Sequence, residues 1–227
     1  MKKHYLSFEK PLKDLDIEIE KLSISETEPE KLNELKKERE ELEKNIFSDL
    51  SSWETVQLAR HPNRPYTLDY INAWCDNFTE LHGDKAFSDD NAVIAGIGII
   101  EDTKVVIIGQ QKGRNTKDNI FRNFGMMKPE GYRKALRVMK LAEKFKLPIV
   151  TLIDTPGADP GIGAEERGQG YAIANNLFEM ASIKTQILSV VIGEGASGGA
   201  LGIGLCDKMI MLAVSYTHLT LPTIRSV

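Results

Sequence analysis

The residues best placed to do chemistry are small ones: Gly193-Glu194-Gly195-Ala196-Ser197-Gly198-Gly199, directly after the apolar run Ile187–Ile192. Glycine permits backbone conformations closed to other residues and lets a ligand approach the main chain. Successive N–H groups at a helix start have no partner inside the helix and face outward at the positive end of its dipole. A turn of this kind can hold a phosphate, or an oxyanion that forms during acyl or carboxyl transfer. Close packing of a helix on a strand explains the same glycines, and the letters of the turn alone leave both readings open.

Sharper motifs fit poorly. A phosphate loop ending in Gly-Lys-Ser or Gly-Lys-Thr is absent. GEGASG (193–198) matches the dinucleotide fingerprint letter for letter, but it comes late and lacks an acidic residue at the right place on a following strand. Gly195-Ala196-Ser197-Gly198-Gly199 also matches the G-x-S-x-G nucleophile elbow. An acid and then a histidine should follow such a serine, and only Asp207 and His218 qualify, since His4, His61 and His82 precede it. Ser197 therefore reads as a small turn residue whose hydroxyl helps fix the loop. Four histidines and two cysteines (Cys75, Cys206) are scattered, with no C-x-x-C and no H-E-x-x-H, so no metal site is expected. Main-chain donors without a nucleophile, metal or acid–base pair suit a reaction whose hard step belongs to a cofactor or substrate group.

Two basic stretches offer further contacts. Arg60, His61 and Arg64 cluster beside Tyr66, as a solvated loop or as a site for an anionic group such as a nucleotide phosphate. Gln111–Gly125 carries Lys112, Arg114, Lys117 and Arg122 among Phe121 and Phe124. A nucleic-acid role for that loop is a further reading, and a net charge of −4 argues against a protein built to coat nucleic acid.

The elements that must position the turn follow from periodicity. Phe8, Leu12, Leu15, Ile19 and Leu22, then Leu32, Leu35, Leu42 and Ile46, form two apolar helical stripes interrupted by Ser23–Pro29. Arg39 takes the one stripe position that is not apolar. An antiparallel helical hairpin is expected over 5–47, packed on its own chain or serving as an oligomer contact. Residues 51–82 read as short helices and loops, with Ser51-Ser52 as a cap and HPNRP (61–65) as a stop. Ala92–Ile100 and Lys104–Gln110 form a predicted β-hairpin around Glu101-Asp102-Thr103. Pro129 suits the first position of a helix that continues to about Lys146. Strands at 149–154 and 187–192, a helix from about Ala164 to Met180, and an apolar run at 208–212 complete a βα-layered pattern. Ile149–Asp154 is apolar almost throughout, as in strands buried on both faces.

The 227 residues suffice for one sizeable domain with an appendage. No stretch approaches the roughly 20 apolar residues of a membrane span. The opening MKKHYLSFEK is basic but has no apolar signal core. A cytoplasmic location, without membrane attachment, is expected.

LIDTPGADPGIGAEERGQ (152–169) and VIGEGASGGALGIG (191–204), with VQLARHPNRPYTLDYI (56–71) and ELHGD (80–84), closely resemble the carboxyltransferase alpha subunit of bacterial acetyl-CoA carboxylase. The likeness runs to about Leu212. It implies an α/β fold with a crotonase-like (ClpP/crotonase) ββα spiral core behind the N-terminal helical hairpin. It further implies carboxyl transfer from carboxybiotin, borne by a biotin carboxyl carrier protein, to acetyl-CoA, giving malonyl-CoA. By the same resemblance Gly198 and Gly199 are the backbone oxyanion donors. Pro156, Gly157, Ala158, Gly195 and Ser197 are expected to bind the biotin cofactor. The implied partners are a zinc-bearing beta subunit in an alpha2beta2 assembly and a separate biotin carboxylase that uses ATP. No metal is expected in this chain. The alternative enzyme reading is transfer to another acyl-CoA such as propionyl-CoA.

The end departs from the family. A segment resembling YSVISPEGCASILW should follow Leu212, whereas Ser215–Val227 reads SYTHLTLPTIRSV. The expected organisation is a hairpin over 1–50, a crotonase-like domain over 51–214 that is incomplete at its C-terminus, and an atypical tail over 215–227. A fragment that only binds the beta subunit is the corresponding non-enzyme reading.

Overall fold

The computed structural model describes residues 3–25, 29–212 and 215. The chain divides into two compact units, Met1–Asn63 and Arg64–Val227. The expected tail over 215–227 lies, except for Ser215, outside the described residues.

In the first unit a 3-10 turn, Ser7–Glu9, leads into α1 (Lys10–Ser25), α2 (Pro29–Ser48) and α3 (Ser52–Ala59). Phe8 meets Phe47 edge to face, with ring centroids 6.3 Å apart, and Asp16 meets Arg39. These pairs fall in reverse order along the chain, so α1 and α2 run antiparallel, as the two stripes require. Arg39, the polar position in the stripe, donates to Asp16 at 2.6 Å and to Glu43 at 2.9 Å. Burial pulls the Asp16 carboxyl upward, but hydrogen bonds from Arg39, Tyr5 and Lys3 outweigh it and hold its pKa at about 2. Ser51 and Glu54 form a reciprocal capping box at the start of α3.

The second unit is built on one sheet. Its elements are α4 (Thr67–Trp74), β1 (Cys75–Glu80), β2 (Val93–Ile100), β3 (Thr103–Gln110), α5 (Thr116–Phe121), α6 (Pro129–Phe145), β4 (Ile149–Thr155), α7 (Ile162–Glu166), α8 (Gln169–Met180), β5 (Ile187–Gly195), α9 (Ser197–Gly204) and β6 (Lys208–Met211). The strands lie in chain order; β1, β2 and β3 pair antiparallel, and β3 through β6 pair parallel. Strand alternation divides the core. Val106, Ile108, Ile149, Ile153 and Val191 face α6, α8 and α9, while Val105, Ile107, Leu152 and Ile192 face the α4 side with Ile71. The apolar letters of β4 thus reflect burial on both faces.

Two elements escaped the sequence pattern. β1, within the stretch read as helices and loops, is a strand of mostly polar residues, CDNFTE, at the sheet edge. An edge strand needs no apolar alternation on its open side, which removes the usual signal. α5, inside the stretch read as a loop, is one short helix capped by Asn115, whose side chain accepts the Asp118 N–H. ELHGD is structural: the Asp84 carboxylate accepts the N–H groups of Ala86, Phe87 and Ser88 and pairs with Arg133 of α6 at 2.8 Å. Arg137 donates to the carbonyls of Leu81, His82 and Gly83, so these letters dock a loop on α6.

Candidate functional site

The three parallel strands β3, β4 and β5 end on one edge of the sheet, and the loops beyond them converge there. Such carboxyl ends are where open parallel sheets bind ligands. The turn after β5 begins with buried Gly195 and enters α9 at Ser197, which is exposed and adopts φ 56°. A positive φ at serine is uncommon and marks a tightly held turn. The Ser197 hydroxyl makes no hydrogen bond among the described residues, so it does not fix the loop as the letters suggested. The turn is held by main chain instead, with Ala196 N–H donating to Thr155 O at 3.2 Å and Ala200 N–H to Ala196 O at 3.2 Å.

Gly198 and Gly199 are the second and third residues of α9. Their N–H groups have no acceptor among the described residues, as expected for a helix start that no side chain caps. Gly198 is half-buried and Gly199 buried. A Cβ on Gly199 would lie 2.6 Å from Gly157 O and 2.7 Å from Ala158 N, so no side chain fits there while the backbones hold their places. A Cβ on Gly198 would instead meet only the Ile173 side chain, at 3.3 Å. The Pro156-Gly157-Ala158 loop after β4 therefore lies directly against the glycine turn. Gly157 has φ 150°, a conformation that favours glycine, and the buried Thr155 hydroxyl accepts its N–H at 3.2 Å. All seven residues picked from the sequence come together on these two adjoining loops.

Charged and polar side chains that the sequence did not single out for the site support it from below. Asp154, the penultimate residue of β4, is buried and pairs with Lys112 at 2.6 Å. The same carboxylate oxygen accepts the Glu194 N–H at 2.9 Å, and Lys112 lies 3.4 Å from Glu194 Oε1. Arg64 Nε donates to Ile192 O at 2.5 Å. Burial pushes the Arg64 guanidinium pKa down, against the pull of Tyr70 and Asp154. Burial likewise raises the Tyr66 hydroxyl, and the Arg114 guanidinium stacks 4.0 Å from the Tyr66 ring centroid while pairing with Asp69. His61 keeps to the first unit, 3.2 Å from His4 O. His61, Arg64, Lys112, Arg114 and Arg122 of the two basic stretches therefore carry structural contacts. The letters placed Arg64 and Lys112 in basic stretches without revealing their partners, and did not single out Asp154, because each partner is distant in sequence.

The hydrolase reading fails on position. Asp207 Oδ2 accepts the Ile187 N–H at 2.8 Å, at the opposite end of β5 from Ser197. At a strand rise of ~3.3 Å per residue that is about 26 Å away. His218 lies outside the described residues. Among the described residues no group of three or more His, Cys, Asp or Glu could hold a metal ion, and no helix is long and apolar enough to cross a membrane.

The family model described as acetyl co-enzyme A carboxylase carboxyltransferase-like matches residues 5–223. The chain belongs to this family. The acetyl-coenzyme A carboxylase carboxyl transferase subunit alpha of Xanthomonas campestris pv. campestris (strain B100) is 57% identical over 218 residues, covering 93% of this chain and 68% of that protein. The protein of the same name from Flavobacterium johnsoniae is 55% identical over 214 residues, covering 92% and 68%. Among solved structures, transcarboxylase 12S superposes with a TM-score of 0.56 at 19% identity, over 66% of this chain and 28% of that one. The beta subunit of P. aeruginosa geranyl-CoA carboxylase gives 0.51 at 20% identity, over 63% and 25%. These neighbours share the crotonase-like fold, so the expected fold class of this family member holds.

Proposed function

We propose that this chain is the alpha half of an acetyl-CoA carboxylase carboxyltransferase, forming malonyl-CoA from acetyl-CoA in the first committed step of fatty acid biosynthesis. Carboxybiotin, on its carrier protein, supplies the carboxyl group. The observation that carries the reading is the pair of N–H groups at Gly198 and Gly199, free of acceptors among the described residues and backed by the Pro156-Gly157-Ala158 loop. Two such donors match an oxyanion, here the ureido oxygen of biotin, and one donor is typically worth ~3 kcal/mol in a transition state. Gly195 and Ser197 set the course of the turn, and Pro156, Gly157 and Ala158 border the biotin side. The roles of all seven residues are part of this proposal.

The partners that go with this reading are a beta subunit carrying a zinc ribbon and much of the CoA site, in an alpha2beta2 assembly, and the biotin carboxyl carrier protein. ATP is spent by a separate biotin carboxylase, and the complex works in the cytoplasm. Names of relatives at 54–57% identity support the beta partner and the acyl-CoA substrate.

The test is carboxyl exchange between malonyl-CoA and a soluble biotin derivative, with this chain mixed with a beta subunit and each alone as control. Turnover is expected only in the mixture, and Gly199→Val should abolish it. Wild-type turnover by Gly199→Val would refute the site, and no turnover by any mixture would refute the activity. Binding of the beta subunit without turnover would reduce the chain to a docking fragment.

A further inference from the structure

Gln110, the last residue of β3, is fully buried, and its side chain bonds both the first turn of α9 and the end of β4. Its Nε2 donates to Gly199 O at 2.7 Å, and its Oε1 accepts the Asp154 N–H at 3.0 Å. One planar amide thus joins α9, at an oxyanion donor, to the end of β4, two residues before Pro156. Its own carbonyl accepts the Thr67 hydroxyl at 2.6 Å, which fixes the base from which the side chain reaches. The requirement is specific. Only a side chain with a donor and an acceptor on one terminal group satisfies both partners, and a carboxylate of the same size accepts but cannot donate.

Resting on the carboxyltransferase reading, we infer that Gln110 is a positioning residue that sets Gly199 against the Pro156-Gly157-Ala158 loop and so aims the oxyanion donors. It touches no substrate. Its action passes through the Gly199 carbonyl, which belongs to the residue whose N–H does the work. The buried location means that neither partner group can turn to water once the amide is lost.

The experiment uses the full chain with its beta subunit and two variants, Gln110→Met and Gln110→Glu. Steady-state exchange from malonyl-CoA to a soluble biotin derivative gives kcat and KM for both substrates. Peptide-level amide hydrogen exchange on the alpha chain alone supplies a readout that does not depend on activity. Gln110→Met should lower kcat at least tenfold with KM for malonyl-CoA within threefold of wild type. Gln110→Glu should lower it further, because a carboxylate would face the Gly199 carbonyl. Exchange should quicken in peptides spanning 154–158 and 196–202 while the remaining core strands keep their protection.

Unchanged kcat, or unchanged exchange at those two segments, would overturn the inference. So would loosening spread evenly over the sheet, or failure of both variants to fold, since either would make Gln110 an ordinary core residue. If the wild-type mixture shows no transfer, the carboxyltransferase reading falls by that result alone. The exchange data then still decide whether Gln110 holds the two loops together.

Discussion

Gly198 and Gly199 are neighbours with opposite tolerances, and the difference is measurable. Alanine at 198 needs only a small shift of the Ile173 side chain and leaves the N–H in place, so Gly198→Ala should retain transfer within about tenfold. Alanine at 199 meets backbone atoms of Gly157 and Ala158, which cannot rotate away. Gly199→Ala should lose about 100-fold or more in kcat, near the value of one oxyanion donor. Equal effects at the two positions would contradict this geometry. Below them, Lys112 neutralises the buried Asp154 carboxylate. Lys112→Met leaves that charge without its cation and should cost about 3–5 kcal/mol of stability, whereas adding Asp154→Asn should restore part of the loss. Urea denaturation of the single and double variants checks both statements.

Among the elements, legibility followed burial. The helical hairpin and α6 could be read from apolar stripes with a period of 3.6, and β2, β3, β4 and β5 from short apolar runs bounded by turn residues. β1 could not, because an edge strand with Asp76, Asn77 and Thr79 has no such period. The glycine turn was legible as a main-chain donor site, and the resemblance of its motifs to a family made it specific. Gln110 and Asp154 were not, since a single buried polar residue looks like any other until its partner is known, and Lys112 stood out only as one of several basic residues in a loop. Arg39 shows the same lesson: a flaw in the α2 stripe becomes a pair with Asp16 once α1 lies beside it. That pair predicts a pH response. The Asp16 carboxyl is held at about 2, below its ordinary 3.8, so its contribution to stability is fully present above pH 4 and is lost as pH falls toward 2. Thermal melts followed by circular dichroism should therefore show a steeper loss from pH 4 to 2 for the wild type than for Asp16→Asn.

At the scale of the molecule, protection should grade across the sheet of the second unit. β3, β4 and β5 are flanked on both sides and carry most of the sheet's fully buried residues. Among the described residues β1 and β6 each have one neighbour, and β6 pairs through four residues, Lys208–Met211. Native-state hydrogen exchange is expected to be slowest in β3 to β5 and fastest in β1 and β6. The opposite order would mean that cooperativity does not centre on the strands that carry the site. The layout places the loops of greatest chemical interest on the strands that open last, which suits donors that must keep a fixed aim.

The exposed, uncapped start of α9 has one more consequence. On the proposed reading the donors are peptide N–H groups, which reagents that alkylate thiols, acylate amines or modify imidazoles do not attack. Scanning with alanine registers only the bulk it adds, never the removal of a donor. The direct chemical edit is replacement of the amide by an ester at residue 198 or 199 through protein semisynthesis, which deletes one N–H and leaves every side chain untouched.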